Sequence, residues 1–160
     1  MRYLLYIITF TTFLFSQHFV VEIAETGEST LFIFLDEIEN LSIGDEVGIF
    51  DQEGILDSDG NTGEILVGAG IWEGVQLEIP GIMSIDLSDF GGPILPGAVS
   101  GNNMSLKVWD HTEEIEIDVD YLIESGSGTF NGLFTVINEI DCDIAEDACD
   151  CGGSILDECG

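Results

Sequence analysis

Five carboxylates and an asparagine crowd one short stretch of this chain, Asp51, Glu53, Asp57, Asp59, Asn61 and Glu64, along D-Q-E-G-I-L-D-S-D-G-N-T-G-E. Calcium takes roughly six to eight hard oxygen ligands from carboxylates, amides and carbonyls, on a backbone supple enough to curl around the ion. Asp57, Asp59 and Asn61 have the alternate spacing of the first, third and fifth positions of an EF-hand loop. Thr62 stands where that loop turns on glycine, and Gly68 where its bidentate Glu belongs, so an EF-hand is rejected. A looser calcium loop is the expectation. Set against it are acidic, Gly-rich turns in which Asp and Asn bond only their own backbone.

A second acidic set alternates with apolar residues in Glu114-Ile115-Glu116-Ile117-Asp118-Val119-Asp120-Tyr121. On a strand, residues two apart are separated by roughly 6.6 Å, so these four carboxylates cannot share one ion without a neighbouring strand. They read as a face turned to solvent, cations or a partner, with Lys107 able to pair with it across strands. The four cysteines, Cys142, Cys149, Cys151 and Cys159, lack the paired knuckle spacing of structural zinc sites. Disulfides are expected instead, with three pairings open. Of the two tryptophans, Trp72 precedes the Glu73-Gly74 turn and is the better candidate for an exposed glycan-stacking ring, with Trp109 as the core residue.

Catalytic signatures are absent from the sequence. There is no G-x-S-x-G elbow, H-E-x-x-H or P-loop, and Gly68-Ala69-Gly70-Ile71-Trp72-Glu73-Gly74 lies inside an apparent strand rather than before a helix. His18 and His111 are the only imidazoles, and His111, after Trp109-Asp110 at a strand end, reads as a turn residue. Two carboxylates suffice for a glycosidase, but among 32 acidic residues such a pair carries no signal.

The elements that position these groups are strands. From Phe19 to Ile140, short β-branched and aromatic runs alternate with Gly, Asn and Asp, and no stretch keeps a helical period. Nine strands are expected: His18 to Ala24, Ser29 to Leu35, Glu46 to Phe50, Glu64 to Trp72, Val75 to Ile79, Met83 to Leu87, Met104 to Trp109, Glu114 to Tyr121 and Gly132 to Ile140. A Glu25-to-Glu28 hairpin turn joins the first two, and one helical turn is allowed at Asp36 to Leu41. The predicted fold is all-β, a two-sheet antiparallel sandwich of Greek-key or jelly-roll type, with a closed barrel as alternative.

Composition places the protein outside the cytoplasm. Residues 1–16, MRYLLYIITFTTFLFS, join a basic start to an apolar run without acids and read as a signal peptide, cleaved to leave Gln17 first. That run is too short to span a bilayer, so no transmembrane segment is expected after cleavage. Residues 17–140 form the expected sandwich and 141–160 an acidic Cys-rich tail that reads as cut short. The mature chain sets 32 Asp and Glu against Lys107 alone, a charge of −31. That excludes nucleic acid, which binds through Lys and Arg. A hydrophobic fraction of 45% excludes an acidic disordered tail.

Ser42-Ile43-Gly44-Asp45-Glu46-Val47-Gly48-Ile49-Phe50-Asp51 followed by Val67-Gly68-Ala69-Gly70, and Leu106-Lys107-Val108-Trp109-Asp110 later, resemble a "GDEIGVFD…VGAG…FKVWD" signature. The signature belongs to β-sandwich modules of large secreted or surface multidomain proteins of marine and Bacteroidetes-type bacteria. The tail from Cys149 to Gly160 is similar to the "CGGxxxxDECGVC" repeats that follow such modules and that in turn resemble thrombospondin type 3 calcium repeats. The resemblance implies a β-sandwich module of an exported, often surface-attached protein, of a kind usually without an assigned reaction, and the expected role is structural or adhesive. The expected partners are other domains of the same polypeptide, cell-surface components and glycans, with calcium as the expected cofactor; the alternative is an accessory carbohydrate-binding domain of an exported hydrolase.

Overall fold

The computed structural model describes residues 17–142 of the chain. The expected signal peptide at 1–16, residues 143–160 of the expected 141–160 tail and the cysteines Cys149, Cys151 and Cys159 lie outside the described residues. Cys142 ends the last strand, and its side chain is likewise outside them, so the disulfide expectation has no described counterpart.

The described residues form nine strands in chain order: β1 (Ser29–Phe34), β2 (Glu46–Ile55), β3 (Thr62–Ile71), β4 (Leu77–Ile82), β5 (Ile85–Asp86), β6 (Ile94–Leu95), β7 (Ser105–Asp110), β8 (Ile115–Ser125) and β9 (Phe134–Cys142). The all-β class follows from the alternation. In β7, Leu106, Val108 and Asp110 are buried between half-buried neighbours, as period-2 patterning demands.

The arrangement differs from two antiparallel sheets. Seven strands form one sheet in the order β3-β2-β7-β8-β9-β1-β4, and β5 and β6 make a separate two-stranded ribbon. The large sheet is mixed, because β1 runs parallel to β9 with Phe32 beside Thr135, and antiparallel to β4. The end strands β3 and β4 nevertheless lie against each other: a β-carbon on Gly68 would fall 2.8 Å from the Pro80 carbonyl oxygen and 2.8 Å from Ile79 Cγ2. The sheet thus curls until its edges touch, glycine permitting the approach. No hydrogen-bonded pairing joins those two edges among the described residues, so the barrel alternative stays unsealed. Phe32, Phe34, Val47, Ile49, Val67, Val108, Phe130, Ile137 and Ile140 fill the interior.

Two expected elements are absent. His18 to Ala24 is not a strand, because the amide N–H groups of His18 and Phe19 are taken by the Glu46 carboxylate rather than by a sheet neighbour. The Glu25-to-Glu28 hairpin fails with it, and β1 pairs instead with chain far away in sequence. Asp36 to Leu41 closes only a turn (Ile38 N–H to Leu35 O, 3.3 Å), whereas a short 3-10 turn forms at Ser88–Phe90.

Candidate functional site

The end of the β2–β7 pair carries the one cluster of three potential metal-ligating side chains found among the described residues: Asp45, Asp110 and His111. Register builds it. Ile49 pairs with Leu106 and Val47 with Val108, all turned into the core. The same register carried one step past Glu46–Trp109 sets Asp45 opposite Asp110, on the inward face. Two carboxylates therefore end an otherwise apolar row, Asp45 1% exposed and Asp110 6%. Like charges directly opposite on a sheet destabilise it unless compensated, and burial raises that cost.

Local compensation comes mostly from N–H groups. Asp45 closes its own turn: its Oδ2 accepts Ser42 N–H at 2.8 Å while its N–H donates to Ser42 O at 3.0 Å. Oδ1 accepts the His111 backbone N–H at 3.2 Å and meets His111 Nδ1 at 3.0 Å. Asp110 Oδ1 accepts Thr112 and Glu113 N–H at 2.7 and 2.9 Å, holding the β7–β8 turn. That turn contains Glu114 at φ 56°, strained for a non-glycine residue. The exposed His111 ring rests against Gly44, where a β-carbon would stand 3.2 Å from Nε2.

The predicted calcium loop disperses into structural roles. Asp51, 1% exposed, accepts Glu53 N–H at 3.0 Å, Val99 N–H at 2.8 Å and the Asn102 side-chain amide at 2.9 Å, tying β2 to the 97–102 loop. Asp57 accepts the Asn61 side-chain amide at 2.8 Å and the backbone N–H groups of Asp59 and Asn61. These bonds, the Asn61 amide foremost, hold its carboxyl below the ordinary carboxylate range. Asp57, Asp59 and Asn61 thus build the β2–β3 hairpin, Glu53 is exposed on β2, and Glu64 leaves along β3 to meet Lys107 at 3.0 Å. The β2–β3 pairing sets 51–55 alongside 62–65, yet no three of these carboxylates come together as potential ligands among the described residues.

Trp72 is corrected. At 2% exposed it lies within the core, and its N–H and carbonyl bond Asp45 O and Gly44 N–H across the turn before β2. It offers no face to a sugar. Trp109 is the half-buried tryptophan, and the His18 ring stacks on it at 3.8 Å and 5°.

His18 belongs to an outer-face cluster that sequence reasoning missed. Glu46, 5% exposed, accepts His18 N–H at both carboxylate oxygens (2.8 and 2.9 Å) and Phe19 N–H at 2.8 Å. His18 Nε2 meets Glu116 at 2.9 Å, and Lys107 bridges Glu64 and Glu116. The His18 hydrogen bond, then Lys107, lowers the Glu116 carboxyl against the effect of burial. Burial disfavours the Lys107 ammonium, yet its two glutamates outweigh that and raise it. The only advance signal for Asp45 and Asp110 was their position at the ends of two strong strand runs. No protein-family model, curated protein or solved structure matches this chain.

Proposed function

We propose that the chain is a non-catalytic module of a secreted or cell-surface bacterial protein, structural or adhesive in role, whose acidic surface is stabilised by divalent cations, calcium first. In architecture we read the curled sheet as a sandwich-like module. The observation that carries the functional reading is how the carboxylates are used. The buried ones, Asp45, Glu46, Asp51 and Asp110, accept backbone N–H groups and hold turns and strands in place. The outward ones, Glu116, Asp118 and Asp120, stand exposed along β8, with Asp120 paired across to Asp141 of β9. An array of this kind attracts cations and oppositely charged partners over a broad face rather than one substrate in a cleft.

Export tests the proposal. Expressed with its own leader in a Gram-negative host, the protein should leave the cytoplasm and begin at Gln17 by mass spectrometry. A cytoplasmic product retaining residues 1–16 would overturn the exported reading. A melting-temperature difference below about 1 °C between calcium and chelator would remove calcium from it, since a ligand of the native state must raise stability.

A further inference from the structure

We propose that Asp45, Asp110 and His111 form a binding site for a divalent transition-metal ion of the zinc type, an inference that goes beyond the module reading and does not rest on it. One potential ligand atom from each of the three residues lies within 4.8 Å of the other two. Two further observations point to an ion. Asp110 is 6% exposed and uses only Oδ1 for its hydrogen bonds; Oδ2 accepts none from any described residue. One oxygen of a nearly buried carboxylate is thus left without a hydrogen-bond donor and open to a ligand, although it is not sealed from solvent: the one fully buried unpartnered side-chain atom among the described residues is Asn138 Oδ1.

The second observation is charge. Strand register forces two buried carboxylates opposite each other, and the one cation among the described residues other than histidine, Lys107, is engaged on the outer face with Glu64 and Glu116. A bound dication would supply the compensation that N–H dipoles supply only in part.

Ligand chemistry selects the ion. Calcium and magnesium take oxygen ligands, whereas an imidazole nitrogen beside two carboxylates suits zinc and its neighbours. Three protein ligands with the remaining position left to water is a common zinc arrangement. The His111 side chain is 41% exposed, which leaves a path for entry. Asp45, bonded to Ser42 and His111 backbone N–H groups, fixes the geometry before any ion arrives.

The test titrates zinc, calcium and cobalt(II) into the metal-free full-length chain by calorimetry, with cobalt absorption as the reporter. Thiolate ligands give cobalt an intense near-ultraviolet charge-transfer band that nitrogen and oxygen ligands lack, so the wild-type spectrum separates this site from the cysteines. The expected result is one zinc site without a thiolate band, at least about 10-fold weaker in both His111→Ala and the milder His111→Gln, the loss seen even for an outer-shell partner. Zinc should also raise the melting temperature of the wild type and not of His111→Gln. A purely thiolate cobalt spectrum, no zinc binding, zinc affinity unchanged in His111→Gln, or calcium binding as tightly as zinc would each overturn the site and leave two turn-capping aspartates.

Discussion

Asp51 shows how a carboxylate that looks like a ligand can be consumed by the backbone. It is buried, and both oxygens accept bonds from Glu53, Val99 and Asn102. Asp51→Ala should therefore cost about 3 kcal/mol, because several donors lose a charged acceptor at once; denaturant unfolding measures it, and a loss under about 0.5 kcal/mol would contradict the clamp. Trp72→Ala is expected to cost about 3–5 kcal/mol as a core cavity. Thermal unfolding reads that loss, and a variant as stable as the wild type would return Trp72 to the surface. Neither role was visible beforehand. Asp51 and Asp57 are equally acidic in sequence, and Trp72 precedes a turn, so only the contacts separate clamp from hairpin residue and core from surface.

At the scale of elements, the outer face of β2, β7 and β8 holds the segment at 17–19. Phe19 lies over Gly48, where an added β-carbon would meet Phe50 at 2.8 Å and the Phe19 ring at 3.1 Å. Gly48→Ala should displace Phe19, cost about 1–3 kcal/mol, and speed amide exchange at His18 and Phe19; unchanged exchange would refute the docking. Glu116 adds a pH signature. Its folded pKa is lowered below the ordinary 4.5, so its contribution is fully present above that value and is lost as pH falls through the lower folded one. The melting-temperature gap between wild type and Glu116→Gln should be steady near neutral pH and shrink on acidification below about 4.5; a gap independent of pH would remove the His18–Glu116–Lys107 link. Most strands were legible from alternation and turn residues. The 18–24 run was not, because a buried Glu46 from elsewhere in the chain took the His18 and Phe19 N–H groups at its start.

For the whole molecule, a formal charge of −30 makes self-repulsion the dominant long-range term. Raising NaCl from about 20 mM to about 500 mM shortens the screening length several-fold and should raise the melting temperature by roughly 3 °C or more, a shift worth on the order of 1 kcal/mol for a chain of this size. A melting temperature indifferent to ionic strength would show that the acidic surface is already neutralised. The alternation of apolar and polar residues, the turn-forming Gly, Asn and Asp, and the excess of acids over bases were sufficient for an all-β chain with an anionic exterior, since burial and charge depend on residue type and local spacing. Partnership was decided only in three dimensions. Whether Asp110 faces Asp45, whether Glu46 grips His18, and whether β1 runs parallel to β9 all depend on strand register between distant segments. Sequence spacing carries no record of that register, and the packing of one interior chooses it.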